Sequence, residues 1–184
     1  CISRLIRDKG VYEYLEAAKR VKYQYPNVRF LLVGPFDTNP SALTREELSV
    51  YEGDDTIEYF GEQTDVIPFL RQCTVFVLPS YREGTPKTVL EAMSSGRAVI
   101  TTDAPGCRET VTDGLNGFLV PIKDIDALSD KMVYMINHND EAKKMALEGR
   151  KIALEKFDVK LVNQKIINTM KLRSNENELV QQNS

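Results

Sequence analysis

The amino-acid sequence predicts an α/β fold: a parallel sheet of about six strands with helices on both faces. Two observations point there. Short apolar runs rich in β-branched residues alternate with segments of helical spacing along the chain, the pattern of strand-helix-strand units. The runs also end in glycine, proline or serine, as at Gly34-Pro35 and Pro79-Ser80, so the strands' carboxyl ends open into loops. Runs this apolar suit strands buried between two helical layers.

Taken in order, Ile2 to Leu5 close a first strand, and Val11 to Tyr25 follow as a helix whose Val11, Leu15, Ala18 and Val21 share one face. Val28 to Val33 form a second strand. Pro40 to Tyr51, with its Thr44-Arg45-Glu46-Glu47 start, is a helix, and Ile57 to Phe60 a third strand. Asp65 suits the N-cap of a short helix from Val66 to Cys73. Thr74 to Leu78 are the fourth strand, Pro86 to Ser95 a helix, Ala98 to Thr102 the fifth strand, Arg108 to Thr112 one turn, and Gly117 to Pro121 the last strand. Three helices follow at 124–137, 140–156 and 159–171, the first capped by Asp124. Residues 1–171 thus read as one folded domain. The tail at 172–184 is polar and nearly devoid of core residues, which predicts a flexible terminus.

Composition excludes several function classes. A chain of 184 residues with 42% hydrophobic and 28% charged residues suits one well-packed domain and a little more. Its net charge of −3, with signs interspersed, offers no basic stripe for nucleic acid. No apolar run approaches the length of a membrane span. The three cysteines, Cys1, Cys73 and Cys107, are odd in number and widely spaced, which suits free thiols in a reducing compartment and argues against zinc. The single histidine, His138, lies in the polar run Asn137-His138-Asn139-Asp140 and reads as a helix-end surface residue, so no histidine-based triad can be assembled. The first residues, Cys1-Ile2-Ser3, already read as the end of a strand, and the chain reads as a piece of a longer protein.

The chemistry concentrates after the fourth strand, in Glu83-Gly84-Thr85-Pro86-Lys87-Thr88-Val89-Leu90-Glu91. Thr85 suits an N-cap and Pro86 the first helical position, which leaves the Lys87 and Thr88 amides among the helix's first free donors. Free amides at a helix start bind phosphate. Glu91, in the second turn, can offer two acceptor oxygens to a vicinal diol such as a ribose, while Glu83 lies on the loop at the far side of the phosphates. The stretch between them, Gly84 and Thr85 included, therefore reads as a nucleotide and donor-sugar site. Lys87 and Glu91 also suit an ordinary i,i+4 surface pair. Arg4 and Lys9 lie on the loop after the first strand, and strand carboxyl ends are where such sheets bind ligands. Two cations there suit a diphosphate. Arg7 is an alternative member of the pair, and a solvated basic loop an alternative to the pair itself.

The Glu83 to Glu91 segment resembles the E-x7-E motif of the retaining glycosyltransferases of family 4, which have the GT-B fold. Arg4 and Lys9 resemble the Arg-x4-Lys pair with which that family grips the nucleotide diphosphate. The resemblance covers about residues 1–171 and corresponds to the carboxyl-terminal, donor-binding half, one of two Rossmann-like domains, with a helical C-terminal extension. It implies that the amino-terminal acceptor domain lies outside this chain. Gly61-Glu62-Gln63-Thr64-Asp65 stands where the family's base-binding loop lies. Pro105 to Glu109 and Asp113 to Gly117 resemble its glycine loop and the following turn, and turn chemistry needing positive φ is an equal reading of both. Thr85-Pro86 departs from the family, many members of which have Phe or Leu with a second glycine, and proline removes one amide. Asp124-Ile125-Asp126 matches the Asp-x-Asp metal motif of a different glycosyltransferase fold only superficially, because the next helix needs Asp124 as its cap.

By this resemblance the chain is the donor domain of an enzyme that transfers a sugar from a nucleoside diphosphate, a UDP-hexose or UDP-N-acetylhexosamine, to a lipid-linked or glycan acceptor. The implied setting is bacterial capsule or surface-glycan synthesis, in the cytoplasm and at most peripherally at the inner face of the membrane. No metal or other cofactor is implied. Glu83 would be the catalytic contact to the sugar, with Arg4, Lys9, Gly84, Thr85, Lys87, Thr88 and Glu91 binding the donor. Two other classes use similar architecture. A UDP-sugar epimerase would want further carboxylates and histidines. A non-enzymatic nucleotide-binding or receiver-type module is the other class, and receiver domains need an acidic cluster at the ends of the first and third strands, where Arg4 and Gly61 stand instead.

Overall fold

The computed structural model describes residues 1–157. Within them a single 3-10 turn, Arg7–Lys9, leads into helix α1 (Val11–Gln24), strand β1 (Leu31–Leu32), helix α2 (Arg45–Gly53), strand β2 (Glu58–Tyr59) and helix α3 (Ile67–Gln72). Strand β3 (Val75–Leu78), helix α4 (Lys87–Ser94), strands β4 (Ala98–Thr102) and β5 (Gly117–Val120), and helices α5 (Ile125–Asn137) and α6 (Asn139–Lys156) complete the order. All strand pairs are parallel: β1 lies beside β2, and β3, β4 and β5 lie side by side, with Val75 opposite Ala98 and Val99 opposite Gly117.

The α/β class and the parallel pairing agree with the sequence reading, but the strand count falls short of six. Ile2 to Leu5 make a single bridge, Ile2 to Val33, instead of a strand. The reason is local. Leu5 donates to the Pro35 carbonyl and accepts from the Leu43 amide, and Ile6 bridges Ala42, so the chain is drawn toward the 41–43 loop after two residues. The second strand is likewise shortened from Val28–Val33, because the Val28 amide turns back to the Tyr25 carbonyl. The helix expected from Pro40 starts at Arg45, where Thr44 and Glu47 form a reciprocal capping box. The helix expected at 159–171 and the tail at 172–184 lie outside the described residues.

Period-two alternation divides the strands between two apolar layers. Val77, Ala98, Ile100, Phe118 and Val120 face one cluster with α1 and α5, while Phe76, Leu78 and Val99 face a second with Val89, Ala92 and Met93 of α4. Helix α6 gives Ala142, Met145 and Ala146 to the first cluster and Ala153 to the second, so it passes from one face to the other. At its midpoint Gly149 runs close over Met93 and Asn116. Side chains as buried as Leu15, Ile100 and Met93 each contribute roughly 1.5–3 kcal/mol by leaving water. Such a double-sided core holds the strand ends still and leaves the loops beyond them to carry chemistry. Among the described residues no helix is long and apolar enough to cross a membrane.

Candidate functional site

The loop that leaves β3 is fastened to the sheet before it reaches its first carboxylate. The Thr101 hydroxyl donates to the Leu78 carbonyl at 2.7 Å, and the Thr102 hydroxyl donates to the carbonyl of Ser80, a residue that is fully buried. The Ser80 hydroxyl then donates to Glu83 Oε1 at 2.7 Å. From the other side, the Glu83 amide donates to the Pro105 carbonyl at 3.0 Å. Glycine is required at position 106 by both φ (+86°) and proximity, since a Cβ there would stand 2.0 Å from the Gly84 carbonyl oxygen.

The loop at Ser3 to Gly10 meets this one directly. Lys9 Nζ lies 2.6 Å from Glu83 Oε1, with the two side chains only 20% and 12% exposed. The Tyr81 amide donates to the Asp8 carbonyl at 2.9 Å, and the Tyr81 hydroxyl donates to the largely buried Glu13 of α1 at 2.6 Å. Burial and the Glu13 carboxylate both push the Tyr81 phenol up from its ordinary value. Gly10, with φ +68°, closes the join, because a Cβ there would stand 2.0 Å from the Pro79 carbonyl oxygen.

Helix α4 starts one residue later than the sequence suggests. Pro86, in extended conformation, is its N-cap, and no side chain caps it; Thr85 does not. The Pro86 carbonyl accepts from the Val89 and Leu90 amides, and no main-chain carbonyl among the described residues accepts from Lys87 or Thr88. Those two amides stand free at the positive end of the helix, as the sequence predicts. Glu91 pairs at 3.4 Å with the exposed Lys87 and remains 28% exposed itself.

Lys9, Glu83, Gly84 and the α4 start thus come together, whereas Arg4 does not join Lys9 on a shared partner. Arg4 donates to Asp37 at 2.9 Å, and Arg7 lies over the Tyr12 ring. The Asn39 amide and then Arg4 hold the Asp37 carboxyl below its ordinary value. Asp65 does not cap α3; Val66 occupies that position, and the Asp65 carboxylate accepts from the Ile67 amide at 2.9 Å. Gly106 and Gly114 both have positive φ, in keeping with the turn reading of their loops. Asp124 caps α5 by accepting from Ala127, and Asp126 pairs with Arg20, so the two carboxylates of the Asp-x-Asp triplet are engaged elsewhere. His138 joins α5 to α6 and stacks on Tyr134, away from these loops. Burial pushes the Cys107 thiol up, which keeps it protonated and unreactive.

Sequence reasoning passed over Ser80 and Asp37 as partners of Glu83 and Arg4. Ser80 carried a usable signal: a hydroxyl three positions before a carboxylate, in a turn leaving a buried strand. Asp37 carried none that pointed to Arg4.

As chemistry, the arrangement offers an anion two free helix amides and an ammonium, and offers hydroxyl groups two carboxylates. Comparison with known proteins gives it a context. The chain is 32% identical over 166 residues to the N,N'-diacetylbacillosaminyl-diphospho-undecaprenol alpha-1,3-N-acetylgalactosaminyltransferase of Campylobacter jejuni, spanning 90% of this chain and 42% of that protein. It superposes with a TM-score of 0.74 and 30% identity on the C-terminal domain of a glycosyl transferase group 1 family protein, LpcC, from Francisella tularensis, over 85% of this chain and 83% of that one. Anabaena HepE, crystallised in complex with UDP, matches with a TM-score of 0.77 and 26% identity over 92% of this chain and 47% of its own. The family described as glycosyl transferases group 1 matches residues 1–152, and the chain belongs to it.

Proposed function

We propose that this chain is the donor-binding half of a retaining glycosyltransferase that takes a UDP-hexose or UDP-N-acetylhexosamine. An opposing amino-terminal domain would hold a lipid-linked or glycan acceptor, as in assembly of a bacterial capsule or surface glycan. The observation that carries the reading is the meeting of Lys9 with Glu83 directly before the open start of α4. In support, the chain spans 42% of the length of its Campylobacter relative, whose name describes transfer to a diphospho-undecaprenol sugar, and HepE binds UDP.

In this reading Lys9, Arg4, the amides of Lys87 and Thr88 and the Gly84-Thr85 backbone surround the diphosphate. They stabilise the negative charge that grows on it as the glycosidic bond breaks, each charge-assisted hydrogen bond contributing about 1.5–3 kcal/mol. Arg4 exchanges Asp37 for phosphate. Glu91 accepts from the ribose hydroxyls, and Glu83 accepts from the donor sugar and faces the positive charge developing at its anomeric carbon. The reaction requires no metal, because the cations and helix end do that electrostatic work. The protein works in the cytoplasm, at most peripherally at the membrane.

The test is turnover by the full-length protein, read as UDP release from UDP-hexoses and UDP-N-acetylhexosamines. Glu83→Ala is expected to lower turnover by roughly a hundredfold or more while changing UDP affinity little, since its partner is the reacting sugar and not the nucleotide. Normal turnover in that variant would sink the reading.

A further inference from the structure

We propose that Ser80 is the positioning residue that fixes Glu83 for the donor sugar, so that Glu83 faces the sugar through Oε2. This rests on the donor-site reading above and assigns a residue that reading leaves without a role.

Ser80 sits just past the end of β3, fully buried, with its carbonyl held by the Thr102 hydroxyl and that of Leu78 by Thr101. The neighbouring strand therefore clamps the backbone that carries the Ser80 side chain. Its hydroxyl lies 2.7 Å from Glu83 Oε1 and must be the donor there, because an ionised carboxylate only accepts. Lys9 Nζ reaches the same oxygen at 2.6 Å. Oε1 is thus occupied twice, whereas Oε2 takes no hydrogen bond from a described residue. A carboxylate held by one oxygen presents the other.

The two holders are not equivalent. Lys9 carries three protons on a flexible stem and, in the donor-site reading, turns part of that capacity to the diphosphate. Ser80 has a short side chain on a clamped backbone and a single proton, which goes to Glu83. When the donor arrives, Ser80 is the contact that keeps Glu83 from swinging with its loop. Reacting groups lose rate steeply when misplaced by about 1 Å, so the effect belongs in turnover and not in nucleotide affinity.

The test uses the full-length protein and compares wild type, Ser80→Ala, Ser80→Cys, Glu83→Gln and the double variant Ser80→Ala/Glu83→Gln. The readouts are UDP release from UDP-glucose, UDP-galactose and their N-acetylamino counterparts, UDP affinity by calorimetry, and melting temperature. For the best donor, Ser80→Ala is expected to lower kcat by about 10–100-fold and to change the Kd for UDP less than about twofold, with no further loss when added to Glu83→Gln. Ser80→Cys, which keeps the volume and a weaker donor, is expected to fall between Ser80→Ala and wild type, and it carries the test if Ser80→Ala does not fold. A normal kcat in the Ser80 variants, or a loss that adds fully to that of Glu83→Gln, would overturn the role of Ser80. Wild-type turnover in Glu83→Gln, or no UDP release by the wild-type protein from any of these donors, would instead contradict the donor-site reading beneath it.

Discussion

Lys9 and Glu83 meet at 2.6 Å although 74 positions of sequence separate them. Two backbone features bring them together: the Tyr81 amide bonded to the Asp8 carbonyl, and the approach of Gly10 to Pro79 that admits no side chain. Both partners are mostly shielded from water, so removing one of them costs more than breaking an exposed ion pair, because the other charge is left without its partner.

Removing one partner should therefore leave a stranded charge. Lys9→Met is expected to destabilise the chain by about 1–3 kcal/mol, since the Glu83 carboxylate then lacks its cation. Adding Glu83→Gln should recover part of that stability without recovering UDP affinity. Chemical denaturation and calorimetry on the two variants check both halves; a double variant less stable than Lys9→Met would contradict the pairing.

The junction itself is testable at glycine. Gly10→Ala must place a Cβ 2.0 Å from the Pro79 carbonyl oxygen, on top of a left-handed backbone costing roughly 1–2 kcal/mol. Gly96 has nearly the same φ but open space around it, so Gly96→Ala should show the backbone cost alone. The expected order of melting temperatures is wild type, Gly96→Ala, then Gly10→Ala, with UDP affinity reduced only in the last. Equal losses in both would show that the close approach to Pro79 contributes nothing.

Glu91 should discriminate a nucleotide from its phosphates. Glu91→Gln is expected to weaken UDP by about 1.5–3 kcal/mol, the worth of a charged acceptor bond, and pyrophosphate hardly at all. Titration of each ligand decides, and the same loss for both would remove the ribose role.

Asp37 sets a pH dependence with a definite sign. Its folded carboxyl titrates below its ordinary value, because the Asn39 amide and Arg4 favour the charged form. Its stabilising contribution is therefore full above the unfolded carboxyl's pKa of about 4 and is lost as pH falls through the folded value. Wild type should melt above Asp37→Asn at neutral pH, with the gap closing below about pH 4. A gap that widened in acid would reverse the sign.

Much of this architecture is legible in sequence because it is written locally. Asp124, Thr44 and the helical spacing of α1 announce their elements with their own side chains. The Glu83 and Glu91 pair and the free amides between them follow from one strand, one turn and one helix start. What escapes is set by distant partners. The first strand shrinks to a bridge because the 41–43 loop captures Leu5 and Ile6, and Thr85 loses its capping role because Pro86 adopts an extended backbone. Arg4 and Lys9 look like one cationic pair along the chain, yet each answers to a different carboxylate.

The most direct measurement is calorimetric titration of UDP, GDP, ADP and uridine into the wild-type chain and into Lys9→Met. A donor site built on Lys9 and the α4 amides predicts that the wild-type chain binds UDP, and that Lys9→Met weakens UDP by tenfold or so, about 1.4 kcal/mol, while leaving uridine unchanged. Equal binding of UDP by both proteins, or no binding of any nucleotide by the wild-type chain, would contradict it.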